Sequence, residues 1–164
     1  MLGYVCKYTP MELFEAMDTE ITRLEPSVTD FNHADTLMHA NICSYTKAVL
    51  EDVMEHDYEG VILTTCCDSI RRLYDILKSQ FPDKFFFLLD IPRKFNDFAV
   101  ALYERQLKQM LTEYEAFSGK TLDLKRFVSM MQNKAALKKQ ENTRMSASAV
   151  SEKGNGHKLN IGIM

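Results

Sequence analysis

The sequence lacks any long apolar run: the longest, Phe85 to Leu89, falls far short of the roughly 20 residues that a membrane-spanning helix needs. No basic-then-apolar leader opens it, so membrane insertion and export are not expected and the chain reads as cytoplasmic. Basic clustering is missing too. The net charge is -3 and lysine and arginine are spread along the chain, which argues against a nucleic-acid partner. Cysteines are scarce and unevenly placed, at Cys6, Cys43, Cys66 and Cys67, which excludes the disulfide framework of a small secreted domain. Free thiols are expected, open to metal ligation, redox chemistry or simple burial. No C-x-x-C or H-x-x-x-H pair gives the usual zinc spacing, so His33, His39 and His56 read as exposed polar residues. No G-x-G-x-x-G is present to mark a flavin or nicotinamide site.

What the sequence has is enough apolar material for one core: 164 residues, 46% hydrophobic and 26% charged. Short apolar runs alternate with stretches of helical period. That alternation predicts an α/β fold, a Rossmann-like, mostly parallel sheet flanked by helices. Leu2 to Cys6, Ile21 to Leu24, Val61 to Leu63 and Phe85 to Leu89 read as strands, the last buried on both faces. Helices are expected after Pro10, from Ser44, from about Asp68, and around Leu107 to Phe117 with Gly119 as its cap. A shorter one should hold Phe127, Val128 and Met131. Thr9 and Glu12 read as a capping box, and Ser27 to Ile42 as an exposed polar connection. Glu51 is expected on the outer face of its helix, opposite Val49, Leu50 and Val53. The division expected is an α/β domain over 1–133, a polar linker over 134–158 and, at 159–164, the first strand of a second domain missing from a truncated chain.

In doubly wound sheets, ligands gather outside the carboxyl ends of the strands. Cys6 ends the first strand, Cys66 and Cys67 follow the third, and Cys43 opens a helix that feeds the third. Cys67 also precedes a helix, where free backbone N–H groups and the dipole favour a thiolate or an anionic cluster sulfur. Asp68 or Ser69 is the expected cap of that helix. Cys66, adjacent on the strand, should face the core if Cys67 faces outward. Cys6 reads equally as a buried strand cysteine or a functional one. Arg71, Arg72, Arg93 and Lys94 suit the phosphates of coenzyme A chemically, but exposed cations are more often simply solvated. Ser118-Gly119-Lys120-Thr121 mimics the end of a P-loop, yet Tyr114 stands where its first glycine belongs and a helix precedes it.

Four ordered segments carry a resemblance: Gly3 to Glu12, Asn41-Ile42-Cys43-Ser44-Tyr45, Thr64-Thr65-Cys66-Cys67-Asp68-Ser69-Ile70-Arg71-Arg72-Leu73-Tyr74, and Leu89-Asp90-Ile91-Pro92-Arg93. Together they resemble the 2-hydroxyacyl-CoA dehydratase component family, and the likeness covers nearly the whole chain. It implies a subunit with two Rossmann-like domains that hold a [4Fe-4S] cluster between them, of which this chain is the N-terminal half. It implies partners as well: a paralogous dehydratase subunit, an ATP-dependent activator protein that delivers one electron, and an acyl-CoA substrate that loses water by radical chemistry. Cys43 and Cys67 match the family's ligand positions, whereas its third cysteine has no counterpart after Cys67. Catalytic side chains are not identified. An acyl-CoA reductase subunit, a double-cubane electron-transfer protein or a metal-free fragment on the same scaffold remain open alternatives.

Overall fold

The computed structural model describes residues 1–28 and 30–137. Its element order is β1 (Leu2–Tyr4), α1 (Met11–Ala16), β2 (Ile21–Arg23), α2 (Asn32–Leu37), α3 (Ser44–Glu55), β3 (Gly60–Thr64), α4 (Asp68–Gln80), β4 (Phe85–Leu89) and α5 (Asp97–Ser118). A further helix, α6, runs from residue 124 through 137. It therefore crosses 134–137, where the sequence reading starts its linker; 138–158 and the apolar 159–164 lie outside the described residues.

All four strands run parallel, in the order β2-β1-β3-β4. This is the α/β architecture that the alternating pattern predicts. Leu2 pairs with both Ile21 and Gly60, and Gly60 pairs in turn with Phe85. The direction of winding reverses between β1 and β3, which opens a crevice at their carboxyl ends.

Side chains that alternate along the strands feed two cores. Val61, Leu63 and Phe86 pack with Ala34 of α2 and Met38 after it, with Val49, Leu50 and Val53 of α3, and with Ile70, Leu73 and Leu77 of α4. Ile62, Phe85, Phe87 and Leu89 pack on the opposite face with Leu13 and Phe14 of α1 and Met110 and Tyr114 of α5. Lys134 of α6 ties that helix to α1 through Glu12 at 3.1 Å and Glu15 at 3.2 Å. Gly119 closes α5 at φ 70, and Lys120 beyond it donates to the carbonyl of Asp18 at 2.8 Å. The apparent P-loop ending is a helix cap and a tether.

Three local expectations are corrected. Thr9 forms no capping box: α1 starts at Met11 with Pro10 in the cap position, and no side-chain cap hydrogen bond forms there among the described residues. The Cys6–Thr9 turn closes through the backbone, Thr9 N–H to Cys6 carbonyl at 2.9 Å, and the threonine side chain is drawn inward. The stretch from Ser27 to Ile42 is not wholly an exposed connection, because α2 lies within it with Ala34 buried, and Met38 just beyond it is buried too.

The cause of that second departure is the third. Glu51 faces inward from α3, 2% exposed, and accepts the Ala34 N–H at 2.7 Å while its other oxygen lies 2.7 Å from His33 Nδ1. Lys47 reaches Asp35 at 2.5 Å beside it. A short, weakly periodic helix is thus pinned by a carboxylate that amphipathic counting assigns to solvent.

Burial would push the Glu51 carboxyl up, but the hydrogen bonds from Ala34 and His33 outweigh it and hold it below the ordinary carboxylate value. A folded-state pKa below the unfolded one gives stability that is present above about pH 4.3 and is lost as pH falls through the depressed value. Glu51→Gln is expected to cost about 1–2 kcal/mol near neutrality. The difference from wild type should shrink toward acid, as read from urea midpoints at pH 7, 5 and 3. A constant difference across that range would remove the carboxylate from the explanation.

Candidate functional site

Three connections meet at the carboxyl rim of the sheet: β1 to α1, β3 to α4, and β4 to α5. The entry to α3 lies near them. The first carries Cys6, which is partly buried against the α2–α4 core. The second carries Cys66 and Cys67, both exposed. β3 has ended at Thr64, so residues 65–67 form a turn and strand alternation no longer applies. That is why Cys66 does not face the core as expected. The cap position of α4 is Cys67 itself, in place of Asp68 or Ser69, and its side chain makes no cap hydrogen bond to the first turn.

Cys43 is exposed and occupies the equivalent cap position of α3. Its sulfur lies 3.0 Å from Thr46 Oγ1. Burial pushes this thiol up, but hydrogen bonding from the Thr46 side chain and N–H, the Ser69 hydroxyl and the Tyr45 N–H more than offsets it, leaving Cys43 below the ordinary thiol value. The contribution of Ser69 sets Cys43 beside the first turn of α4, the turn that Cys67 caps. Two helix starts therefore present a cysteine each to one neighbourhood, where backbone N–H groups stabilise negative charge.

Around them, burial pushes the Cys66 thiol up; the Thr64 hydroxyl opposes this, and the charges of Cys67 and Cys6 reinforce it. Burial also raises Tyr45, with Arg23 opposing and Cys66 and Cys6 adding, and it raises Tyr103 of α5, with Cys6 adding. Cys6, Cys66, Tyr45 and Tyr103 are thus electrostatic neighbours. The Thr9 hydroxyl is buried with no hydrogen-bond partner among the described residues, and Thr64 Oγ1, wholly buried, has no well-aligned one. Orphan polar atoms cost free energy and are uncommon away from ligand sites and water.

Among the described residues no three Cys, His, Asp or Glu side chains converge closely enough to hold a metal ion unaided. His33 is engaged with Glu51, and His56 accepts or donates within its own helix end at Asp52. Arg71, Arg93 and Lys94 are exposed, and Arg72 is exposed 3.8 Å from Asp68. Sequence reasoning missed Ser69 and Thr46 as partners of Cys43, and Tyr103 as a neighbour of Cys6. Tyr103 stands four residues before Leu107 on the inward stripe of α5, so helical period could have flagged it.

An open parallel sheet covered by helices on both faces, with thiols at the rim of its switch point, defines a doubly wound α/β protein, the class in which ligands gather at such a rim. The sequence model of the family described as 2-hydroxyglutaryl-CoA dehydratase, D-component, matches residues 6–151, nine-tenths of the chain. The chain belongs to that family, as the four ordered segments anticipated, and is a 2-hydroxyacyl-CoA dehydratase-like component. Membership implies a partner subunit and an acyl-CoA substrate. No curated protein matches the sequence. None of the described helices is long and apolar enough to cross a membrane.

Proposed function

We propose that this chain is the iron–sulfur component of a 2-hydroxyacyl-CoA dehydratase-like enzyme, with Cys43 and Cys67 as two ligands of a [4Fe-4S] cluster. The reading is carried by one observation: in a member of this family, two exposed cysteines occupy the N-cap positions of neighbouring helices beside the sheet's switch point.

The donor set fits such a group in part. Thiolates are the usual ligands of iron–sulfur clusters, which are anionic and so favoured at helix starts. With two ligand thiols and no third convergent group among the described residues, the remaining coordination falls to groups outside them. The bound cluster would supply one-electron chemistry to an acyl-CoA thioester. What the chain itself does is hold two thiols at a fixed rim, keep Cys43 in a state ready to ligate, and exclude water from the strands beneath. The proposal extends to the partners: a paralogous subunit that shares the site and an ATP-dependent activator that supplies the electron.

Anaerobic reconstitution with iron and sulfide tests it. Wild type is expected to retain stoichiometric iron and to give a cluster signal in electron paramagnetic resonance after reduction. Cys43→Ala and Cys67→Ala should each lose most of the iron, while Cys66→Ala keeps it. Equal iron in all four proteins would defeat the assignment.

A further inference from the structure

We infer that Asp90, clasped by Gln106, is the positioning residue of the connection that carries Cys66 and Cys67. The residue belongs to the Leu89–Arg93 segment, which the cluster proposal leaves without a task.

The bonding around it is unusually complete for an exposed strand end. The Asp90 N–H donates to Gln106 Oε1 at 2.8 Å, and Gln106 Nε2 donates back to the Asp90 carbonyl at 3.2 Å. One side-chain amide thus takes both backbone groups of a single residue. Only an amide carries a donor and an acceptor together at that reach, so neither Glu nor Lys could replace it. With its backbone held, the Asp90 carboxylate accepts from the Thr65 hydroxyl, and the Thr65 N–H donates to the Leu89 carbonyl at 3.0 Å. Thr65 is the first residue of the turn that continues through Cys66 to Cys67.

The chain of contacts runs from α5, through Gln106 and Asp90, to Thr65 and the thiols. β4 has already ended at Leu89, so these bonds lie beyond the ladder that defines the strand. A turn with two exposed side chains has little packing to define its shape, so hydrogen bonds from the neighbouring strand end supply the definition. The functional meaning of this rests on the reading of Cys67 as a ligand, but the mechanical claim does not.

Hydrogen exchange read by mass spectrometry on the full chain separates the two. Thr65→Val and Asp90→Ala are expected to accelerate exchange over residues 65–69 at least about threefold, the effect of losing one net hydrogen bond. Gln106→Leu should do the same, while α3 keeps its wild-type rates. Thr65→Ser and Asp90→Asn, which retain the hydroxyl and the acceptor oxygen, should restore wild-type exchange. Unchanged exchange in Thr65→Val and Asp90→Ala overturns the inference. So does acceleration spread evenly over the molecule, or an Asp90→Asn protein as fast as Asp90→Ala. Should Cys43→Ala and Cys67→Ala keep their iron while Thr65→Val still frees the turn, the ligand assignment falls and the positioning role stands.

Discussion

Gly60→Ala is expected to leave little folded protein. A Cβ at Gly60 would lie 2.0 Å from the backbone oxygen of Phe85 and 2.7 Å from its Cβ, well inside contact distance. Neither strand can step aside. Gly60 is paired with Leu2 on one flank and Phe85 on the other, and the Phe85 N–H is bonded to the Glu59 carbonyl at 2.9 Å. Relief would have to separate β3 from β4 at the base of the sheet, at more than about 4 kcal/mol, in the exceptional range for one substitution. Against a typical total of about 5–15 kcal/mol, that removes most of the margin. Gly3→Ala is the control: its Cβ would meet only the flexible Leu24 side chain, at 3.1 Å, and should cost about 1 kcal/mol. Far-ultraviolet circular dichroism and urea midpoints decide it. A Gly60→Ala midpoint equal to that of Gly3→Ala would refute the account of the strand pair.

Tyr114→Ala should rank next, at about 3–5 kcal/mol. The ring is fully buried and meets Phe14 edge-on at 5.1 Å and Phe85 at 5.0 Å. Its hydroxyl donates to Glu59 Oε1 at 2.6 Å, with Thr19 Oγ1 3.1 Å away. Tyr114→Phe keeps the packing and loses the hydrogen bond, so about 1–2 kcal/mol is expected from it. Burial, with the Glu59 carboxylate adding, pushes the phenol up to about 12. A raised folded-state value means stability that is whole below about pH 10 and is lost as pH climbs toward 12. Wild type should weaken across that window more steeply than Tyr114→Phe in thermal melts. Parallel decline of the two would assign the alkaline loss elsewhere.

The sheet and its two cores were legible because the sequence writes them in periods. Phe85 to Leu89 is continuous, as a strand covered on both faces must be, and its observed bounds coincide with the run. α4 and α5 carry apolar residues at helical spacing over several turns, and Gly119 marks the end of the second, whereas its start at Asn96 was not read from the sequence. α2 was not legible. Six residues with one buried alanine leave no stripe to count, and what holds them is Glu51, whose partners lie 17 and 18 residues away. Tertiary bonding of that kind overrides local pattern.

The rim was half legible. Family-like segments and strand ends singled out Cys43 and Cys67 as the proposed ligands, and the two hold the N-cap positions of α3 and α4. The orientation of Cys66 was misjudged because a strand rule was carried one turn too far. Asp90 and Gln106 stand 16 residues apart, and nothing in sequence spacing announces that one clasps the other.

Because the four strands share one direction, the molecule has two unlike poles. Gly60, Phe85, Glu59, Thr19 and the hydroxyl of Tyr114 gather where strands begin, whereas Cys6, Thr65, Cys67 and Asp90 follow where strands finish. Robustness and reactivity are therefore inherited from opposite ends of the same ladder. Loops at the sulfur-bearing pole can vary in sequence while the anchoring pole is left untouched, and hardening against heat can proceed at the anchor without altering the rim.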